Sequence, residues 1–310
     1  MNWILKFPPS LTLNPGSVVD DAIRQFSRNH RASLSAIKNV TVWMLSAIER
    51  CLELIPWWAL ILLVVWAGYK VSGKKKIGVL YGAMLFFVGC FGLWTMMLET
   101  LSLIIVSVTL ALALGFPLGV LVAMNRHVET VMQPAMDFMQ TIPSFVYLIP
   151  AAMLFSVGKT PAVMATLIYS VVPMIRLTSH GIRHVDKEVV EAGIAFGSTR
   201  LQLLFNVQVP QALPTIMTGI NQTIMMAMGM VVTCALIGAN GLGMEILVAT
   251  NRTEMGRALM PGISIVFIAI ILDRLTRGSL TQGSRTQGAL RGSSDKSPEK
   301  GEVKDGGNAG

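Results

Sequence analysis

His180 and His184 stand four residues apart, with Asp186 and Glu188 close behind them. On a helix that spacing puts both imidazoles on one face, where they could hold a zinc ion. The better reading of the stretch is a solvated loop. Gly158-Lys159-Thr160 has the ending of a phosphate-cradling loop. Such a loop needs a glycine five residues ahead of Gly158, and Met153 occupies that place. Gly238, Gly241 and Gly243 imitate a dinucleotide turn. An apolar run precedes them and no βαβ unit follows, so they read as close helix packing or a re-entrant turn. Cys51, Cys90 and Cys234 are far apart and form no CxxC pair. They read as small apolar residues, without a disulfide or metal framework. No Ser/His/Asp set and no paired carboxylates share a plausible pocket. The expectation is no catalysis by this chain, no metal and no cofactor.

The elements that would position any such group are apolar. The 310 residues are 53% hydrophobic and only 14% charged, where a soluble domain carries about 25% charge. That deficit points to lipid as the main solvent. The formal net charge of +8 raises the question of nucleic acid. The basic residues, however, fall between apolar runs and in the two tails. That placement suits the cytoplasmic face of a membrane, and nucleic acid is not an expected partner.

A bilayer-spanning helix needs about 20 mostly apolar residues. Seven stretches qualify as candidates: 55–69, 77–94, 101–124, 142–157, 162–175, 213–237 and 260–272. The predicted fold is all-α and polytopic. Lys70, Lys74, Lys75, Lys76, Arg126, Arg176, Arg183, Lys187, Arg200, Arg274 and Arg277 fall on one side of this map. Lys159, Arg252 and Arg257 fall on the other. The richer side is cytoplasmic by the positive-inside rule. Seven spans then place the N-terminus outside, although Lys6, Arg24, Arg28, Arg31, Lys38 and Arg50 lie there. Long segments translocate largely regardless of charge. No continuous apolar region marks a cleavable signal peptide in residues 1–40. The expected organisation is an extracytoplasmic extension over 1–50 and two accessory helices over 51–96. A core over 97–277 follows, with a cytoplasmic loop at 176–211, then a disordered tail over 278–310.

The spans carry few ionisable residues, and Glu99, Asp137 and Asp273 all fall near span ends. Polar groups that could line a path are Ser144, Tyr147, Asn221, Gln222 and Thr223, with Ser170 and Thr233 beside them. A path of this kind suits a solute without strong net charge. For any one of these residues, hydrogen bonding between helices is the plainer role. Pro143, Pro150 and Pro173 are expected to break or kink their helices.

The most informative stretch is Glu191-Ala-Gly-Ile-Ala-Phe-Gly197, running on to Val207-Gln-Val-Pro210. Asp186 can cap a helix over 187–196, and Gly197 can end it in a left-handed conformation. Ser198 or Thr199 can cap a second short helix over 201–207, and Pro210 marks the turn back into the membrane. Val189, Val190 and Ile194 give the first helix an apolar side. The pattern resembles the signature of permease subunits of ABC importers: Glu-Ala-Ala, three residues, Gly, nine residues, Ile, one residue, Leu-Pro. Glu191, Ala192, Gly197 and Pro210 match it, while Gly193, Val207 and Val209 depart from it. Gly193 lowers helix propensity by up to about 1 kcal/mol relative to Ala, so a looser helix is expected there.

The resemblance covers about 97–277 and is more specific still. Thr141-Ile-Pro-Ser-Phe-Val-Tyr-Leu-Ile-Pro150, Val172–Thr178, Ala212–Met226 and Ile237–Gly243 are similar to the permease of glycine betaine/proline betaine importers. What the resemblance implies is a homodimer in a bacterial inner membrane. It also implies an ATP-binding cassette ATPase docked on the 191–207 loop and an extracytoplasmic solute-binding protein. The solute would be a small zwitterion, with choline or an amino acid as the alternative. An ion-gradient-driven secondary transporter would show charged residues at mid-membrane, and these spans lack them.

Overall fold

The computed structural model describes residues 16–294, with side chains described for residues 16–276. Every regular element among them is a helix. In chain order they are α1 (Gly16–Asn29), α2 (Arg31–Leu54), α3 (Trp57–Ser72), α4 (Lys75–Cys90), α5 (Trp94–Met124) and α6 (Arg126–Thr141). A 3₁₀ turn over Ser144–Tyr147 leads into α7 (Leu148–Phe155) and α8 (Lys159–Arg183). Then come α9 (Lys187–Ala195), α10 (Arg200–Leu203), α11 (Val209–Thr233), α12 (Leu242–Asn251) and α13 (Met255–Ser294).

The core is α8 held between α5 and α11. Lipid tails are as apolar as leucine, so spans associate by van der Waals packing, and small residues let backbones approach. Gly115 and Gly119 of α5 face α8. A Cβ on Gly119 would stand 2.6 Å from Cβ of Thr178 and 2.9 Å from the Ile175 carbonyl oxygen. On the other side a Cβ on Gly181 would meet Cβ of Thr215 at 3.0 Å, and one on Gly219 would meet Cβ of Leu177 at 3.1 Å. Wrapped in this way, α8 buries hydroxyls as well as aliphatics: Thr166, Ser170 and Thr178 are fully enclosed.

The hairpin of α3 and α4 uses the same device. Gly73 closes α3 in the left-handed region, at φ +67°, and its N–H bonds the Tyr69 carbonyl. Gly78 and Gly82 lie one helical turn apart on the contact face. A Cβ on Gly78 would sit 2.4 Å from the Val65 carbonyl oxygen, a backbone atom that cannot step aside. Gly78→Leu should therefore open the hairpin, at the roughly 1–3 kcal/mol typical of overpacking. Trypsin cleavage after Lys74–Lys76 should accelerate in the purified variant. Gly256→Leu, where nothing lies within 4 Å of a Cβ, is the control. Equal protection in the two variants would count against the contact.

Several boundaries differ from the sequence expectation. Four helices are long and apolar enough to cross a bilayer unaided: α5, α8, the run from Arg200 to Ile237, and α13 from Met255 to Thr276. The expected span at 142–157 is half of a bent pair, α6 with Ser144–Phe155, turned by 108°. Pro143 explains the break, because it forces Ile142 into an extended conformation, φ −68° and ψ 132°. Pro173, by contrast, sits inside an unbroken α8. The expected spans at 55–69 and 77–94 fall on α3 and α4, each of 16 residues. At 1.5 Å per residue they are about 24 Å long, short for a bilayer core of about 30 Å.

The extension does not stop at residue 50. α2 runs to Leu54, where Ile55 and Pro56 break it, and it meets α3 at 94°. It buries Thr41 and Leu45 against the α5 and α8 end of the bundle. At the other terminus the helix continues to Ser294, past the tail boundary expected at 278. No proline interrupts 278–294, and adding a residue to a helix already nucleated costs little. Residues 295–310 lie outside the described residues, as do 1–15.

Candidate functional site

The end of the molecule carrying the C-termini of α5 and α8 presents the helix–glycine–helix element. Asp186 caps α9 by accepting from the Glu188 N–H at 3.0 Å. Without that cap, a helix of 9 residues would leave its first amides unpaired. The other end closes as a Schellman motif. Gly197 lies at φ +80°, its N–H bonds the Ile194 carbonyl at 2.9 Å, and the Ser198 N–H bonds the Gly193 carbonyl at 3.1 Å. Thr199 and Gln202 then form a capping box at the start of α10.

Gly193 does not loosen this element. A Cβ there would stand 2.6 Å from Cδ1 of Leu203, so the glycine lets α9 lie flat against α10. Pro210 does not turn the chain either. Arg200 to Ile237 form one continuous helix. A π-helical stretch over Leu204–Gln208 precedes α11 and carries the chain into Pro210 in its first turn. There a missing N–H is tolerated. The short helix expected over 201–207 is thus the first arm of a rod about 57 Å long at 1.5 Å per residue.

One face of this element is tied down. Leu204 joins Met174, Ile182, Val185, Ala212 and Ile216 in a buried cluster, with Val190 of α9 packed against it. The other face has no covering. Phe196 is 90% exposed, and Ile194, Leu201 and Phe205 all exceed half exposure. Glu191 and Ala192 are exposed beside them, and Val207 is half-buried. Glu191 edges a groove of about 560 Å³ together with Lys187, Arg200 and Leu203. A carboxylate set among exposed apolar side chains is how a surface made for another protein looks.

The expected path residues lie on two elements that touch, the Ser144–Tyr147 turn and α11. Asn221 is buried, and its Nδ2 donates to Oδ1 of Asp273 on α13 at 3.0 Å. Thr223 is fully buried. The helical turn that points these two inward leaves Gln222 exposed between them. Asn221 therefore links α11 to α13, the plainer of its two readings. Ser144 and Tyr147 stand at the α6–α7 break, both half-buried. The Tyr147 hydroxyl donates to the Met139 carbonyl at 2.5 Å, pinning the bend across the proline. Its ring tilts against Tyr169, with centroids 6.0 Å apart.

Sequence reasoning missed the three ionic sites that α8 makes among the described residues. Lys159 does not cradle phosphate. Its Nζ lies 2.7 Å from Oε1 of Glu49 on α2 and 3.1 Å from Oε1 of Glu99 on α5. That knot joins three helices at the end opposite the α9 element. Arg183 pairs with Glu129 of α6 and donates to the carbonyls of Val122 and Ala123 at 2.6 and 3.1 Å. Arg176 pairs with Asp137 at 2.6 Å. The signal was present as opposite charges at matching depths of neighbouring spans, but single-residue scanning does not pair them. Between those last two pairs the rings of His180 and His184 stack at 3.9 Å, and Nδ1 of His184 lies 2.8 Å from the His180 carbonyl.

Residues 115–279 match the family described as binding-protein-dependent transport system inner membrane component. A glycine betaine/carnitine transport permease protein of Listeria monocytogenes is 41% identical over 263 residues, covering 83% of this chain and 91% of the relative. A glycine betaine/proline betaine transport system permease protein of Escherichia coli is 36% identical, covering 84% and 73%. Among solved structures, an inward-facing MetNI methionine ABC transporter is similar in fold. Its TM-score is 0.54 at 21% identity, over 63% of this chain and 95% of that one.

Proposed function

The chain belongs to the inner-membrane components of binding-protein-dependent transport systems, and on that premise we propose that it imports a small zwitterionic osmoprotectant of the glycine betaine type. In this reading two copies form the path, two ATPase subunits sit beneath them, and an extracytoplasmic binding protein delivers the solute. ATP hydrolysis belongs to the ATPase subunits.

One observation carries the coupling part: a doubly capped helix–glycine–helix element with Glu191 and an uncovered apolar face at the membrane-proximal end of α8. ATP binding closes the ATPase pair and displaces α9. Val190 and Leu204 pass the displacement to α8 and α11 through the cluster around Met174 and Ile216. Because Arg200–Ile237 is one rod, motion at α10 reaches the middle of the bundle, with only the π-helical stretch to absorb any of it. π-turns inside α-helices are frequent at functional sites.

The solute reading rests on the substrates named for the relatives and on a near-neutral bundle interior. Among the described residues only Asp273 brings a charge to the buried α11–α13 contact, and Asn221 answers it. The test is uptake of radiolabelled glycine betaine by osmotically stressed cells that depend on this system. Accumulation is expected. Uptake of an amino acid with no betaine uptake would refute the solute and leave the architecture standing.

A further inference from the structure

The geometry points to a binding site for the phosphate of an anionic phospholipid headgroup in the elbow between α1 and α2, where they meet the end of α7. A cavity of about 410 Å³ opens there, walled by Arg28, Arg31, Lys38, Ser35, Leu154 and Phe155. Arg31, Ser35 and Lys38 fall at i, i+4 and i+7, so one face of α2 presents all three. Arg28 comes from α1 across the elbow. Three cations thus converge beside the Ser35 hydroxyl, whose own proton goes to the Ala32 carbonyl at 2.8 Å. Among the described residues none of the three has a carboxylate within ion-pair distance, unlike Lys159, Arg176, Arg183 and Arg257. Arg28 has a single weak bond, from Nε to the Arg24 carbonyl at 3.4 Å. Guanidinium forks match phosphate oxygens bidentately.

The surroundings choose a lipid over a free anion. α2 and α3 together have the length and apolarity of one broken span, with a 94° bend between them. In this proposal α2 lies along the bilayer surface, with the cavity at headgroup depth. The inner wall of the cavity is apolar, Leu154 beside the buried Phe155, and suits the glycerol and upper acyl region below a phosphate. The site rests on the membrane reading of the fold alone. It depends neither on which solute is carried nor on which leaflet faces α2.

The test is native mass spectrometry of the full-length chain in detergent. It is titrated with phosphatidylglycerol, with phosphatidylcholine as the zwitterionic control and inorganic phosphate as competitor. Wild type should retain phosphatidylglycerol at least about tenfold more tightly than phosphatidylcholine, an anionic preference that surface Lys and Arg confer. A basic residue near a lipid surface contributes a factor of about five, so R28Q/R31Q/K38Q should lose roughly a hundredfold. R28K/R31K should keep the preference. If the triple variant does not fold, R31Q and K38Q singly should each lose about fivefold. Unchanged phosphatidylglycerol binding in the folded variants would overturn the site. Displacement by inorganic phosphate without any preference between the two lipids would overturn the lipid assignment in favour of a free anion.

Discussion

Glu191→Lys and Gly197→Asp should each abolish solute-stimulated ATP hydrolysis and transport while the protein still inserts and folds. Glu191 is exposed, and among the described residues its side chain makes no bond whose loss could unfold α9, so its variant reads out partner contact. A hydrogen bond to a charged group contributes about 1.5–3 kcal/mol, and charge reversal adds repulsion. Gly197 acts differently. It holds φ +80° with open space around it, so a side chain would meet no neighbour but would strain the backbone by about 1–2 kcal/mol. That strain falls on the two Schellman bonds that fix the angle between α9 and α10. The measurement is ATPase activity of the reconstituted complex with and without loaded binding protein, together with co-purification of the ATPase. Exposed substitutions that meet nothing change stability by no more than about 0.5 kcal/mol. Wild-type coupling and ATPase retention in both variants would remove this element from the mechanism.

Arg183→Ala should be the most destabilising single change among the ionic sites. The last α5 carbonyls have no helical partner. Asn125 satisfies that of Leu121, and Arg183 satisfies those of Val122 and Ala123. Truncation strands both carbonyls and leaves Glu129, only 24% exposed at its side chain, without its cation. Together these losses should cost about 2–4 kcal/mol. At roughly 2–4 °C per kcal/mol for a chain of comparable size, the thermal midpoint in detergent should fall by roughly 5–15 °C. Arg176→Ala is the contrast. Its pair with Asp137 is open, 44% and 67% exposed, and exposed pairs contribute under about 1 kcal/mol. Arg183→Ala/Glu129→Gln should recover part of the loss by removing the stranded charge. Equal shifts for Arg183→Ala and Arg176→Ala would disprove the capping role.

Much of the α9 element is legible in the sequence, because its determinants are local. Asp186, Gly197 and Thr199 act on backbone groups within three or four residues of themselves, and the structure has each where its type demands. Gly193 and Pro210 were misread for the opposite reason. The local cost of a glycine in a helix is real, but Leu203 fills the space a Cβ would take, so the close contact reverses its meaning. Pro210 breaks a helix only where its missing N–H is needed, and the preceding π-helical stretch removes the need. Rotation about α11 decides where Asn221 and Thr223 point, which sequence spacing relates to Gln222 but not to the neighbouring helices.

By itself the sequence determined the solvent and the class: apolar runs with few charges must satisfy their backbone bonds internally in lipid, so they are helices. It also determined the helix–glycine–helix element at 187–203, whose residues work through short-range caps and turns. Tertiary structure alone decided which helices touch, because identical apolar faces carry no address in lipid. The addresses are steric and electrostatic. Gly115 and Gly119 admit α8, Gly78 and Gly82 admit α3, and Lys159 gathers Glu49 and Glu99 from segments 110 and 60 residues away. Such contacts depend on two surfaces meeting in space, and a residue's own neighbours along the chain do not record them.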